Sequence, residues 1–229
     1  MTKTDTESPA LRTLRTRLRT SLQHLELVDA ALSVVEEAAK RSADPKQPLL
    51  KALGLTGKPE TLQVPARQAG QLCNFSRGEN LELALLAFHV HFLEYLRTML
   101  ADVHQRHPLH LLAGAESDVS WERIVQRFEG RGGADELVGR ILEATGIDLD
   151  PDAGRQAHAY LAMRDLYVYN GGLVDEEFAR LHGDLWHVEP GHKLPRILKI
   201  GRTAVHAIER LATELDAKLA GLGAAHEDC

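Results

Sequence analysis

The sequence predicts an all-α fold, a helical bundle, and three observations carry that reading. Apolar residues recur at steps of three and four over three long stretches: Leu11, Leu14, Leu18, Leu22, Leu25, Val28, Leu32 and Val35; then Leu81, Leu85, Phe88, Phe92, Tyr95, Met99 and Val103; then Ile197, Ile200, Ala204, Ile208, Leu211, Leu215 and Leu219. At 3.6 residues per turn each set falls on one stripe. Helix punctuation falls beside these stretches, in Pro108, Gly146 and the run Asn170-Gly171-Gly172. Only residues 183–192, polar and glycine-bounded, read as a short hairpin-like β excursion.

Composition narrows the class. A chain of 229 residues has ample length for one large core. It is 44% hydrophobic and 26% charged, ordinary for a globular protein. A net charge of −6 argues against global affinity for nucleic acid, so any RNA contact needs a local basic patch. Cys73 and Cys229 lie far apart without metal-type spacing, which fits a reducing cytoplasm and no disulfide framework. The start of the chain lacks the apolar core of a signal peptide, and no uninterrupted apolar run approaches ~20 residues. The expectation is a cytoplasmic protein with no membrane partner and no cofactor.

In chain order, residues 1–9 read as a disordered tail. Residues 10–41 form one amphipathic helix, roughly 45 Å long if unbroken. Arg12, Arg15, Arg17 and Arg19 make its first half basic. Those arginines are either a solvated face or, for Arg12, Arg15 and Arg19, a patch that contacts an RNA backbone. Residues 42–79, with Pro45, Pro48, Pro59 and Pro65, form the main irregular segment, holding a short helix near 49–53. The 79–105 helix carries a second apolar row, Leu86, Val90, Leu93, Leu96 and Leu100, and so belongs at the centre or between two neighbours. Glu94 on this helix either faces solvent or pairs with Arg164. Pro108 ends it.

Histidines 89, 91, 104, 107 and 110 raise the question of zinc, but no cysteine or carboxylate joins them at ligand spacing, and solvated helix ends are the simpler account. His182, His187 and His192 are read the same way. A helix start at Ser120 runs to about 128, and Glu129-Gly130-Arg131-Gly132-Gly133 is a connector without the lysine of a phosphate loop. Helices follow over 134–145, capped by Gly146, over 155–170, and over 195–222. The centre is assigned to the 79–105, 155–170 and 195–222 helices. The expected division is a tail over 1–9, an N-terminal helix and connector over 10–78, a helical domain over 79–222 and a tail over 223–229.

The polar residues with the most chemistry sit in one stretch, Arg164-Asp165-Leu166-Tyr167-Val168-Tyr169-Asn170-Gly171-Gly172-Leu173-Val174-Asp175. Asn170-Gly171-Gly172 ends one helix, because Asn and Gly tolerate the left-handed conformation of a C-terminal cap. Acids at 175–177 suit the first turn of the next. Arg164 and Tyr169 lie about 7.5 Å apart along the helix axis. Asp165 and Tyr169 are four residues apart, close enough for the carboxylate to accept from the phenol. A planar guanidinium matches a phosphate with two charge-assisted bonds. The same residues would equally serve as a buried network locking the helix end.

The stretch resembles the signature of the HEPN superfamily: arginine, a polar residue, three more residues, then histidine, often followed by asparagine and glycine. Arg164 and Asp165 match the first two positions, and Asn170, Gly171 and Gly172 match the tail. The histidine position holds Tyr169. The resemblance implies a HEPN-like bundle over about 80–222, a homodimer pairing two such helices across a cleft, and a metal-independent endoribonuclease of the toxin or antiviral-defence type. By resemblance, Arg164 would hold the phosphate, Asp165 and Asn170 would orient neighbours, and Tyr169 would inherit the acid–base role. Phenols titrate near pH ~10 and imidazoles near ~6.5, so a tyrosine in that place is a poor base near neutrality. The implied activity is therefore a weakened or conditional nuclease, acting on RNA and under the control of an antitoxin or defence-system partner. The alternative is a non-catalytic HEPN-like dimer that binds RNA, a nucleotide or a protein.

Overall fold

The structure is a computed structural model that describes residues 7–55, 64–106, 123, 126–128 and 130–224. Among these it is all-α: α1 (Pro9–Lys40), α2 (Leu49–Ala52), α3 (Ala69–Arg106), α4 (Gly133–Thr145), α5 (Pro151–Asn170), α6 (Glu176–Trp186) and α7 (Leu198–Ala224), with a 3-10 turn at Ala66–Gln68 before α3. Three starts have a clear local cause. Ser8 caps α1, its hydroxyl accepting from the Leu11 N–H at 3.1 Å, and Pro9 supplies a preset first residue. Asp150 and Pro151 do the same for α5, four residues ahead of the expected start at 155. Asp175 caps α6 by accepting from Phe178 N–H at 2.8 Å.

Four expectations need correction. The ordered chain reaches back into the expected tail, since Ser8 is a cap and Ser8 Oγ and N–H both donate to Asp216 on α7. α3 begins at Ala69, ten residues before 79. Gly70, Asn74, Ser76 and Gly78 hide this first part from propensity, and tertiary contacts override it. Arg77 ties it to α1 through Asp29 and Glu36, each at 2.8 Å. Gly78 makes room for Arg196, since a Cβ there would lie 2.7 Å from the Arg196 Cδ and displace that side chain. The β excursion over 183–192 is not a strand pair. Gly183 lies inside α6, which ends at His187 with φ 50°, and the returning chain makes one antiparallel bridge, Leu173 to Lys193. At the other end, α7 extends through Ala224 into the expected 223–229 tail. The helix expected near 120–128 falls mostly outside the described residues.

α3 is the central helix, packed against α1, α5 and α7. Phe88, Phe92, Leu96 and Leu100 are fully buried in a core that also takes Leu11, Leu14 and Leu18 of α1, Met163 of α5 and Leu211 and Leu215 of α7. Each such side chain contributes roughly 1.5–3 kcal/mol of burial. α1 therefore shares one core with the helices after residue 79. Length and hydropathy alone would let α3 cross a membrane, but most of its large apolar side chains are buried against these neighbours. Gly201 lets α7 close on α1, since a Cβ there would meet Leu25 Cδ2 at 2.6 Å. The middle of α3, the second half of α5, the first turn of α4 and α6 together frame the polar cluster.

Candidate functional site: the inward arginine of α5 and the adjoining cleft

Arg164 and Asp165 sit between Met163 and Leu166 on the buried side of α5. Arg164 is 9% exposed and Asp165 6%, and Arg164 Nη1 donates to Asp165 Oδ1 at 2.5 Å. The second carboxylate oxygen accepts the Gly132 N–H at 2.7 Å, so Asp165 also caps the approach to α4. Burial of an ion pair is tolerated only when its remaining valences are met. Here they are met incompletely: Arg164 Nε is buried with no hydrogen-bond partner.

Tyr169 behaves differently. It is 55% exposed, and Arg164 Cζ lies 5.8 Å from its ring centroid, a cation–π contact across the last turn. The expected Asp165–Tyr169 hydrogen bond is not formed: Asp165 is turned inward to Arg164 and Gly132, whereas Tyr169 faces solvent. Asn170 works on the turn: its Nδ2 donates to the Leu173 carbonyl at 3.0 Å. Gly171 and Gly172 follow with φ 59° and 80°, and Gly172 N–H reaches back to the Leu166 carbonyl at 2.9 Å. A Cβ on Gly172 would stand 2.9 Å from the Tyr167 ring, so the second glycine is a steric as well as a conformational requirement.

The partner expected for Arg164 on α3 is not Glu94. Glu94 pairs with Arg97 at 2.5 Å, which holds its carboxyl below the usual range, and it borders a groove with Arg17 of α1. His89 faces the cluster instead. It is 3% exposed, both ring nitrogens lack partners, and its pKa is pushed down to about 4. Burial is the main cause and the nearby Arg164 charge the second, with Asp165 and Asp135 opposing them. The sequence signal was present: His89 lies four residues after Leu85 and four before Leu93, on the buried stripe.

The N-terminal arginines stand elsewhere. Arg15 pairs with Glu7 at 2.8 Å and reaches Thr213 on α7 at 2.9 Å, Arg19 pairs with Glu209 at 3.2 Å, and Arg12 is exposed beside the Glu7 carbonyl. Arg15 and Arg19 fasten α1 to α7, and none of the three joins the Arg164 cluster.

On the other side of Asp165 a cleft of about 210 Å³ opens between α4, α5 and α6. Asp135, in the first turn of α4, contacts His158 Nδ1 of α5. His182 of α6, expected as a solvated histidine, is 6% exposed, with its Nδ1 unpartnered and its pKa lowered chiefly by burial. Arg131 lies at the cleft, paired with Asp175 and 3.7 Å from Glu177. No local spacing could have joined Asp135, His158 and His182, which come from three helices. His187 closes α6 and His192 Nδ1 accepts from Glu189 N–H at 3.1 Å, whereas His107 and His110 lie outside the described residues. Among the described residues no three His, Cys, Asp or Glu side chains are placed to hold a metal ion.

A phosphodiester approaching this site would meet a phenol and an asparagine first. To bond the guanidinium it would have to compete with Asp165 inside the core. Comparison with family models, curated proteins and solved structures finds no match to this chain.

Proposed function

We propose that the chain is a non-catalytic HEPN-like binding protein, in which Arg164–Asp165 is an internal clamp and the exposed end of α5 is a docking surface. The contrast in burial within one motif carries the reading: Arg164 is 9% exposed and Tyr169 is 55% exposed. The residue suited to phosphate is turned into the protein and neutralised. The residue in the histidine's place faces out with Val168 and Leu173. Leu83 and Val90 of α3 are also exposed and, seven residues apart, share one face. Apolar side chains at helix ends and faces suit a second copy of the chain better than solvent.

Sedimentation at about tens of micromolar, where an obligate dimer persists, should give a dimer, and Val168→Asp should give a monomer. A wild-type monomer at that concentration would remove the second copy as the partner.

A conditional endoribonuclease of the toxin or defence type is the second reading, supported by the Arg164–Tyr169 contact, which keeps the two motif residues together. Tyr169→His separates the two. A clamp reading expects RNA to stay uncut by wild type and variant alike. A nuclease that lacks only its imidazole should gain about 10²–10⁴-fold in cleavage, the usual worth of general acid–base catalysis.

A further inference from the structure

The cleft between α4, α5 and α6 has a charge and a shape that the clamp does not use. Three carboxylates outside the clamp line it, Asp135, Asp175 and Glu177, beside Asp165, which Arg164 already neutralises, and Arg131 is the guanidinium among its described lining residues. The starts of α4 and α6 point here, and such starts ordinarily attract anions. A carboxylate already stands at each: Asp165 accepts the N–H of Gly132, the residue before α4, at 2.7 Å, and Asp175 accepts Phe178 N–H at 2.8 Å. An anionic ligand therefore meets carboxylate charge at both starts. The wall adds a second feature, since His182 lines the cleft while 6% exposed and its Nδ1 has no partner. A neutral imidazole can accept a hydrogen bond, so it suits an N–H donor. Leu166 and Phe178 supply apolar wall for a hydrocarbon stem.

Arg131 shows what the mouth of this cleft accepts. Its guanidinium, carried on the turn before α4, pairs with Asp175 and stands 3.7 Å from Glu177, while the side chain remains 49% exposed. It is a tethered cation on a half-buried carboxylate, Asp175, and an exposed one, Glu177, and its own exposed side chain leaves the pairing open to exchange.

We propose that this cleft binds an alkyl guanidinium or alkyl ammonium group, with its N–H donors on Asp135, Asp175 and Glu177, its stem along Leu166 and Phe178, and Arg131 as the built-in competitor. The site stands independently of whether the protein cuts RNA. The same head group occurs on a free small molecule and on an arginine of a peptide.

Calorimetric titration with agmatine, and separately with an end-blocked peptide carrying one arginine, tests the site on the full chain. Arg131→Ala removes the competitor and should tighten binding at least about threefold, the scale of an exposed ion pair. Asp135→Asn should weaken it about tenfold. Should Asp135→Asn fail to fold, Glu177→Gln on an exposed side chain replaces it, with about a threefold loss expected. Binding of both probes identifies the head group as sufficient, and binding of the peptide alone assigns the source to a partner protein. The proposal is overturned if neither probe binds wild type or Arg131→Ala at millimolar concentration. Weaker binding to Arg131→Ala, or binding of inorganic phosphate in place of the cations, overturns it equally, because Arg131 would then be a ligand for anions.

Discussion

Arg164→Met should lower the unfolding free energy by about 3–5 kcal/mol, measured by urea denaturation at neutral pH, because it leaves Asp165 as an uncompensated buried charge. Against a typical total of ~5–15 kcal/mol this is a large share. Arg164 and Asp165 are 9% and 6% exposed, so water cannot replace the lost guanidinium without opening the junction of α3, α4 and α5. The double variant Arg164→Met/Asp165→Asn should recover most of the loss. It removes both charges, while the asparagine carbonyl still accepts the Gly132 N–H that Asp165 holds at 2.7 Å. A nuclease arginine poised for phosphate behaves otherwise. If Arg164→Met changes stability by less than ~1 kcal/mol, the guanidinium is not a clamp and the catalytic reading gains. The same reasoning bears on assays: loss of activity in an Arg164 variant means little until its fold has been checked.

The helical class was legible because it depends on a period. Leu81, Leu85, Phe88, Phe92, Tyr95, Met99 and Val103 are all buried, as their spacing required. Only the first half of the α1 stripe goes fully inside, at Leu11, Leu14, Leu18 and Leu25. Periodicity says which side is apolar, not which part of a long helix finds a neighbour. Helix ends were less legible where tertiary contacts outweigh propensity, as at Gly78 under Arg196. The site was legible in part. The turn at Asn170-Gly171-Gly172 follows from residue type, and the Schellman-like closure on Leu166 bears that out. Which way Arg164 turns could not be read from a motif, since an arginine beside an aspartate serves equally as ligand or as clamp. Glu94 was the wrong α3 residue because it lies five positions from His89, about 140° around the helix, and so cannot share its outlook on α5.

His89 carries the second large effect, and it is a pH effect. Its folded pKa is about 4, below the ordinary value of 6.5, through burial first and Arg164 second. Above pH ~6.5 the imidazole is neutral in both folded and unfolded chains and contributes no pH dependence. Between ~6.5 and ~4 the unfolded chain binds a proton that the folded chain refuses, so stability falls as the solution is acidified. Below ~4 both forms are protonated and the loss is complete, at roughly 3 kcal/mol for this one side chain. His89→Leu removes the titrating group together with two buried ring nitrogens that have no partner. At pH 7.5 the variant should lie within ~1 kcal/mol of wild type or above it, since deleting unsatisfied buried polar atoms offsets the imperfect change of shape. At pH 4.5 it should be the more stable of the two by about 2–3 kcal/mol. Carboxylates and His182 titrate in both proteins, so the difference between the two urea curves isolates His89. Parallel pH profiles would show that His89 takes up its proton freely in the folded protein. Water would then reach the buried side of the Arg164 cluster, and a phosphate would have the access that the clamp reading denies it.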